Sequence, residues 1–180
     1  MATGKRMKAA DRKVLILEAA MEEYGRSGMH ATSTEVIADR AGVSQPYLFR
    51  LFGTKADLIV AAIEHQTTHL RETFRTAVES RPADTSAFEA MAAAYLTLMA
   101  DDVSSLRCQL HTWAAASDPA VKDVAQRTYR EIWANVAELS GGTADEVRDF
   151  MAQGMLLTIV SSLDLMDLFG DPLAVVKEKF

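Results

Sequence analysis

Ser44, Gln45, Pro46 and Tyr47 fall within one turn, with Arg50 one turn further on, and together they form a set able to bond to nucleic acid. A glutamine amide carries a donor and an acceptor side by side and can pair with the edge of an adenine. The hydroxyls of Ser44 and Tyr47 can bond phosphates, the Pro46 ring can touch a thymine methyl, and the Arg50 guanidinium would reach the backbone. Other reactive side chains are more scattered. His65 and His69 stand four apart, a spacing that places both on one helix face, but "HQTTH" lacks the glutamate of H-E-x-x-H and no third ligand is evident. Cys108 and His111 stand three apart, and a lone thiol is by default a small buried apolar group. No nucleophile motif, phosphate loop or carboxylate pair stands out. Neither an enzyme nor a metal or other cofactor is expected.

Presenting Gln45 and Tyr47 to base edges requires a short helix braced by another. If Ser44 caps that helix, Pro46 lies in its first turn, where a missing N–H costs little, and Val43 and Leu48 occupy the positions of a hydrophobic staple. Upstream, "TSTE" predicts a second helix with Thr32 as N-cap and Glu35 closing a capping box, ending at Ala41 and Gly42. The intervening "GVS" makes the pair a helix-turn-helix, with Leu48 and Phe52 turned to a small core of Ile37, Ala38 and Val43.

The whole chain reads as all-α. Strand alternation is absent, and breakers divide the sequence into helices over about 11–24, the two short ones, 54–79, 86–100, 104–116, 119–139 and 144–167, with a short piece from Pro172 onward. The helix opening at Thr54 is long enough to join a headpiece to a body without a linker. Expected domains are therefore an arm and DNA-binding headpiece over 1–54 and a helical body over 55–180. Charge divides similarly: the formal total is −6, but residues 1–56 carry nine Lys/Arg against six Asp/Glu, and the remainder is acidic. Lys5, Arg6 and Lys8 add a basic arm. A single cysteine, a start without an apolar leader and an uncharged run too short to span a bilayer point to a cytoplasmic protein with no membrane partner.

The ordered set "ILEAAMEEYGRSGMHATSTEVIADRAGVSQPYLFRLFGTKADLI", Ile16 to Ile59, resembles the DNA-binding domain of the TetR family of regulators. It departs in the recognition helix, where Phe49, Arg50 and Leu51 stand in place of the usual Tyr followed by His or Tyr. Arg50 is the candidate for the phosphate contact commonly made there by a phenol. By position, the resemblance implies that Thr32 and Ser33 lie beside the DNA backbone, that Lys55 at the next helix start pairs a phosphate, and that Tyr47 is among the reading positions. It further implies a homodimer on a double-stranded operator, a body pocket for a small-molecule effector and a dimeric four-helix bundle from two late helices. The expected function is a ligand-responsive transcriptional regulator, a repressor released by a lipophilic effector; the alternatives are a constitutive DNA-binding protein without a pocket, or an activator.

Within the body, Phe74, Phe88, Met91, Tyr95, Met99, Leu110 and Trp113 would form either plain core or the wall of a cavity, with Tyr95 and His111 as its polar tips. On helix 119–139 the stripe of Val121, Val124, Thr128 and Ile132 suits its own core or a partner equally. Helix 144–167 has no charge on any face between Asp149 and Asp164, which predicts burial on both sides. Its face of Phe150, Met151, Gly154, Thr158, Ser161, Ser162 and Leu165 is the expected dimer contact.

Overall fold

A computed structural model describes residues 9–168 and 170–180. Lys5, Arg6 and Lys8 lie outside the described residues. Nine α-helices and no strand occur among those described: α1 Ala9–Ser27, α2 Thr34–Arg40, α3 Gln45–Phe52, α4 Lys55–Glu79, α5 Ala87–Asp101, α6 Val103–Ala114, α7 Pro119–Ser140, α8 Ala144–Ser162 and α9 Pro172–Lys179. A 3-10 turn, Met166–Leu168, separates the last two. No helix among them is long and apolar enough to cross a membrane.

Helix starts follow local chemistry. Ser44 caps α3 as expected, its oxygen accepting from Tyr47 N, with Pro46 in the first turn. Thr54 and Asp57 form a reciprocal capping box on α4, as do Ser86 with Glu89 on α5 and Thr143 with Glu146 on α8. At α2 the expectation is corrected by one residue: Ser33 is the N-cap, accepting from Val36 N, and Glu35 closes no box. Thr32 is instead drawn inside, 4% exposed, where its hydroxyl donates to the carbonyls of Gly28 and Glu23. Its one proton is shared, chiefly with the Gly28 carbonyl at 2.8 Å and more weakly with that of Glu23 at 3.2 Å, and so is satisfied inside the core. α8 also stops short of the expected boundary: the chain turns at Asp164, whose φ of 57° no helix accommodates.

α1, α2 and α3 pack around Ile16, Ala20, Tyr24, Ile37 and Leu48, all within 1% of full burial, and Leu58 of α4 joins them. Each such side chain contributes about 1.5–3 kcal/mol by leaving water. Arg40 ties α2 to α1 through ion pairs with Glu22 and Glu23. α4, 25 residues and so about 37 Å long, runs from this group into the body. It packs there on α5 and α7, while α1 packs most extensively on α6. The same apolar cluster therefore includes Cys108 of α6 and Val121 and Val124 of α7. A second cluster, built on Phe74, Phe88, Met91, Tyr95, Val136, Val147 and Phe150, fills the body.

Candidate nucleic-acid interface and body cavity

The start of α3 projects from the small three-helix group. Pro46 is exposed, Gln45 and Tyr47 are half-buried, and Ser44 is exposed at the cap. Both cap serines, Ser33 and Ser44, use their oxygens to accept from backbone N–H groups, which leaves each hydroxyl proton free to donate outward. Gln45 Nε2 donates to Thr34 Oγ1 at 2.8 Å. One bond thus fixes the amide against α2 while its second N–H and its oxygen remain available to a base edge.

Tyr47 is the centre of a basic cluster that sequence spacing only partly reveals. The Arg50 guanidinium lies 4.7 Å from the centre of its ring and that of Arg12, from α1, lies 5.7 Å away. Lys13 stands over the Phe52 ring at 5.3 Å. Each such contact is worth about 0.5–1 kcal/mol at an exposed site, enough to orient a long cation without removing it from water. Arg12 and Lys13 were absent from the expected set, because only the packing of α1 on α3 brings them to this face. Lys55, at the first position of α4, donates to the His30 carbonyl at 2.7 Å, and the same ammonium has two further protons. Thr32 is the exception: buried and doubly bonded, it has no hydroxyl to offer a phosphate.

In the body a cavity of about 60 Å³ lies between α4, α5, α6, α7 and α8. Phe74, Tyr95 and Trp113 line it as expected, and Gln109, Tyr129, Met151, Gln153 and Gly154 complete much of its wall. The remaining expected residues do not line it. Phe88 stacks on Phe180 at 4.3 Å, Met91 and Met99 are packed in the core, and His111 faces Gly28 of the headpiece. Leu110 is half-buried outside the lining. Ile132 of α7 and Phe150, Met151, Gly154 and Thr158 of α8, which the sequence offers to a partner as readily as to a core, supply much of the wall instead. A neighbouring cavity of about 40 Å³ shares Leu70, Tyr95, Gln109, Trp113, Tyr129 and Ile132 with the first.

α6 separates this cavity from the headpiece. Gln109 and Trp113 line the cavity, whereas Ser104, Cys108 and His111 meet α1 and the loop after it. Cys108 is fully buried; loss of solvation and the Asp102 charge push its thiol pKa up to about 12. Tyr24, buried beside it without a partner for its hydroxyl, is also raised, first by desolvation and then by Cys108. Neither group is poised for chemistry at neutral pH. His65 and His69 border a groove between α1 and the body, and among the described residues no group of three or more His, Cys, Asp or Glu is placed to hold a metal.

Part of the expected dimer set is turned inward. Val121, Val124, Thr128 and Ile132 are buried within the chain. On α8, Phe150 and Thr158 are buried too, while Met151 and Gly154 line the cavity. Ser161 and Ser162 are half-buried, and Leu165, beyond the end of the helix, is exposed. Apolar and small residues occupy both faces of this helix. Its outer face carries Ala152, Met155, Leu156, Ile159 and Leu163, with Leu156 49% and Leu163 61% exposed.

Residues 16–62 match the family model described as bacterial regulatory proteins, tetR family. The transcriptional activator FasR of Mycolicibacterium smegmatis is 35% identical over 91 residues, which is 48% of this chain and 42% of FasR. The transcriptional regulator RutR of Escherichia coli K12 is 40% identical over 62 residues, 34% of this chain and 29% of RutR. The chain thus spans less than half the length of these curated relatives. In fold it is similar to the fatty acid degradation regulator FadR of Bacillus halodurans, with TM-score 0.72 over 97% of this chain and 94% of that one at 17% identity.

Proposed function

We propose, from the match of residues 16–62 to the model described as bacterial regulatory proteins, tetR family, that the chain is a homodimeric, effector-released transcriptional repressor working in the cytoplasm. Its headpiece, up to Thr54, grips double-stranded DNA, and its body, from Lys55, holds the effector. Ser33, Ser44, Tyr47, Arg50, Arg12, Lys13 and Lys55 bond the phosphates, and Gln45 with Pro46 reads bases. Two copies meet through the outer face of α8, where a row of exposed apolar side chains supports the reading.

The observation that carries this proposal is the position of α6, with cavity on one side and α1 on the other. A molecule that wedges Gln109 and Trp113 apart from α8 moves α6, and α6 cannot move without displacing α1. Two headpieces must meet major-groove faces about 34 Å apart, so a small displacement removes specific affinity. A coupling of about 1–3 kcal/mol is sufficient. The second reading, activation, is favoured by the name of FasR. Selection of binding sites from random duplexes, followed by titration of wild type and Gln45→Ala, tests the DNA assignment. An inverted repeat should emerge, and the variant should lose preference at one position in each half. Recovery of no consensus by wild type would refute the proposal.

A further inference from the structure

Among the described residues lining the body cavity there is no Asp, Glu, Lys, Arg or His; its polar groups belong to Tyr95, Gln109, Trp113, Tyr129, Gln153 and Thr158. Two of these have a defined polarity. The Thr158 hydroxyl, with a single proton, lies 2.9 Å from the Gly154 carbonyl and donates to it. When Thr158 does so, Tyr95, whose hydroxyl oxygen is 2.6 Å from Thr158 Oγ1, donates to Thr158 in turn. Its proton is used and its acceptor lone pair is not. Gln153 Oε1 is buried with no hydrogen-bond partner, a second unused acceptor. A buried polar atom left unpaired is unfavourable until a donor reaches it.

We propose that this cavity takes an uncharged, largely apolar molecule bearing an N–H or O–H donor, received by Gln153 Oε1 with Tyr95 as a second acceptor, and that it rejects carboxylates. The proposal rests on the reading of the cavity as the effector site. A carboxylate entering here would meet no cation, and only the neutral donors of Gln109, Trp113 and Tyr129 would stand in for its water shell, with no counter-charge. An ammonium would meet acceptors but no counter-charge. A primary amide or a phenol brings a donor to the unpaired Gln153 Oε1 without bringing a charge. The volume of about 60 Å³, with the adjoining chamber of about 40 Å³, limits the frame to a small ring unless the helices part. His69 is the one ionisable side chain besides tyrosine in that second chamber, and it is exposed.

Calorimetry and melting of the full chain with benzamide, benzoate and benzylammonium at neutral pH test this, together with Gln153→Met. Benzamide should raise the melting temperature and bind at least about tenfold more tightly than either ion, the ions lacking a counter-charge in the wall. Unliganded Gln153→Met should melt no lower than wild type, because it removes an unpaired amide, and should bind benzamide no better than toluene. Tighter binding of benzoate, or a Gln153→Met variant with undiminished preference for benzamide over toluene, would overturn the proposal and leave the cavity as an effector site. Failure of all three probes to bind wild type would overturn both.

Discussion

Gly25 of α1 lies against the backbone of Ser104 on α6 so closely that a Cβ on Gly25 would stand 2.3 Å from the Ser104 carbonyl oxygen. The contact is backbone to backbone and cannot be relieved by a rotamer change. Headpiece and body are therefore seated at a fixed separation at the point where α6 divides cavity from DNA-binding unit. Gly25→Ala should force α1 and α6 apart, lowering stability by about 1–3 kcal/mol as overpacking does, with operator affinity reduced further than stability alone explains. Melting curves alongside operator titration check it; an unchanged melting temperature would show that the two helices separate freely.

The basic cluster around Tyr47 predicts a salt dependence. Arg12→Ala, Arg50→Ala and Lys55→Ala should each lower the slope of log affinity against log salt by about one per half-site and weaken all sequences alike. Thr32→Val should leave that slope unchanged and reduce stability instead, since its hydroxyl bonds Gly28 and Glu23. A slope altered by Thr32→Val would return that residue to the contact surface.

Sedimentation distinguishes the two faces of α8. Leu156→Arg and Ile159→Arg should give folded monomers that lose the operator, because the outer face is apolar and exposed. Thr158→Arg should unfold the chain, since Thr158 is 1% exposed and bonded to Tyr95. Folded dimers of Leu156→Arg at micromolar concentration would place the interface elsewhere.

His65 predicts a loss of stability on the acid side. Burial lowers its pKa below the ordinary 6.5, against the opposing charge of Glu18 and with help from His69. Its groove also contains Glu22, Arg40, Asp101 and Asp102. The unfolded chain protonates this imidazole more readily than the folded one does, so stability is unaffected well above pH 6.5 and falls as pH drops below it. Melting temperature followed from pH 7.5 to 5 should fall less steeply for His65→Gln than for wild type; parallel curves would contradict the assignment.

Local chemistry made the headpiece legible. Ser44, Pro46 and Thr54 act within one turn of their own position, and the caps they predict are the caps observed. Ser33 replaced Thr32 at α2 because the choice between adjacent hydroxyls depends on which one the core can satisfy, a tertiary fact. Arg12 is invisible from sequence for the same reason: nothing in its own helix points to Tyr47. α8 is legible from its run without charge between Asp149 and Asp164, yet a run apolar all round carries no periodic signal to say which face meets the body, and Gly154 and Thr158 turn to the cavity and the core.

Operator affinity of Gly154→Leu measures the coupling most directly, because it fills the cavity without any effector. Gly154 lines the cavity, and a Cβ there would meet only Tyr95 Cε1, at 3.9 Å, so a larger side chain can enter as a ligand would. In fluorescence anisotropy with a selected operator, the variant should remain a folded dimer and bind about five- to 150-fold more weakly than wild type, the range of a coupling of about 1–3 kcal/mol. A folded, dimeric Gly154→Leu with wild-type operator affinity would contradict control of DNA binding from this cavity.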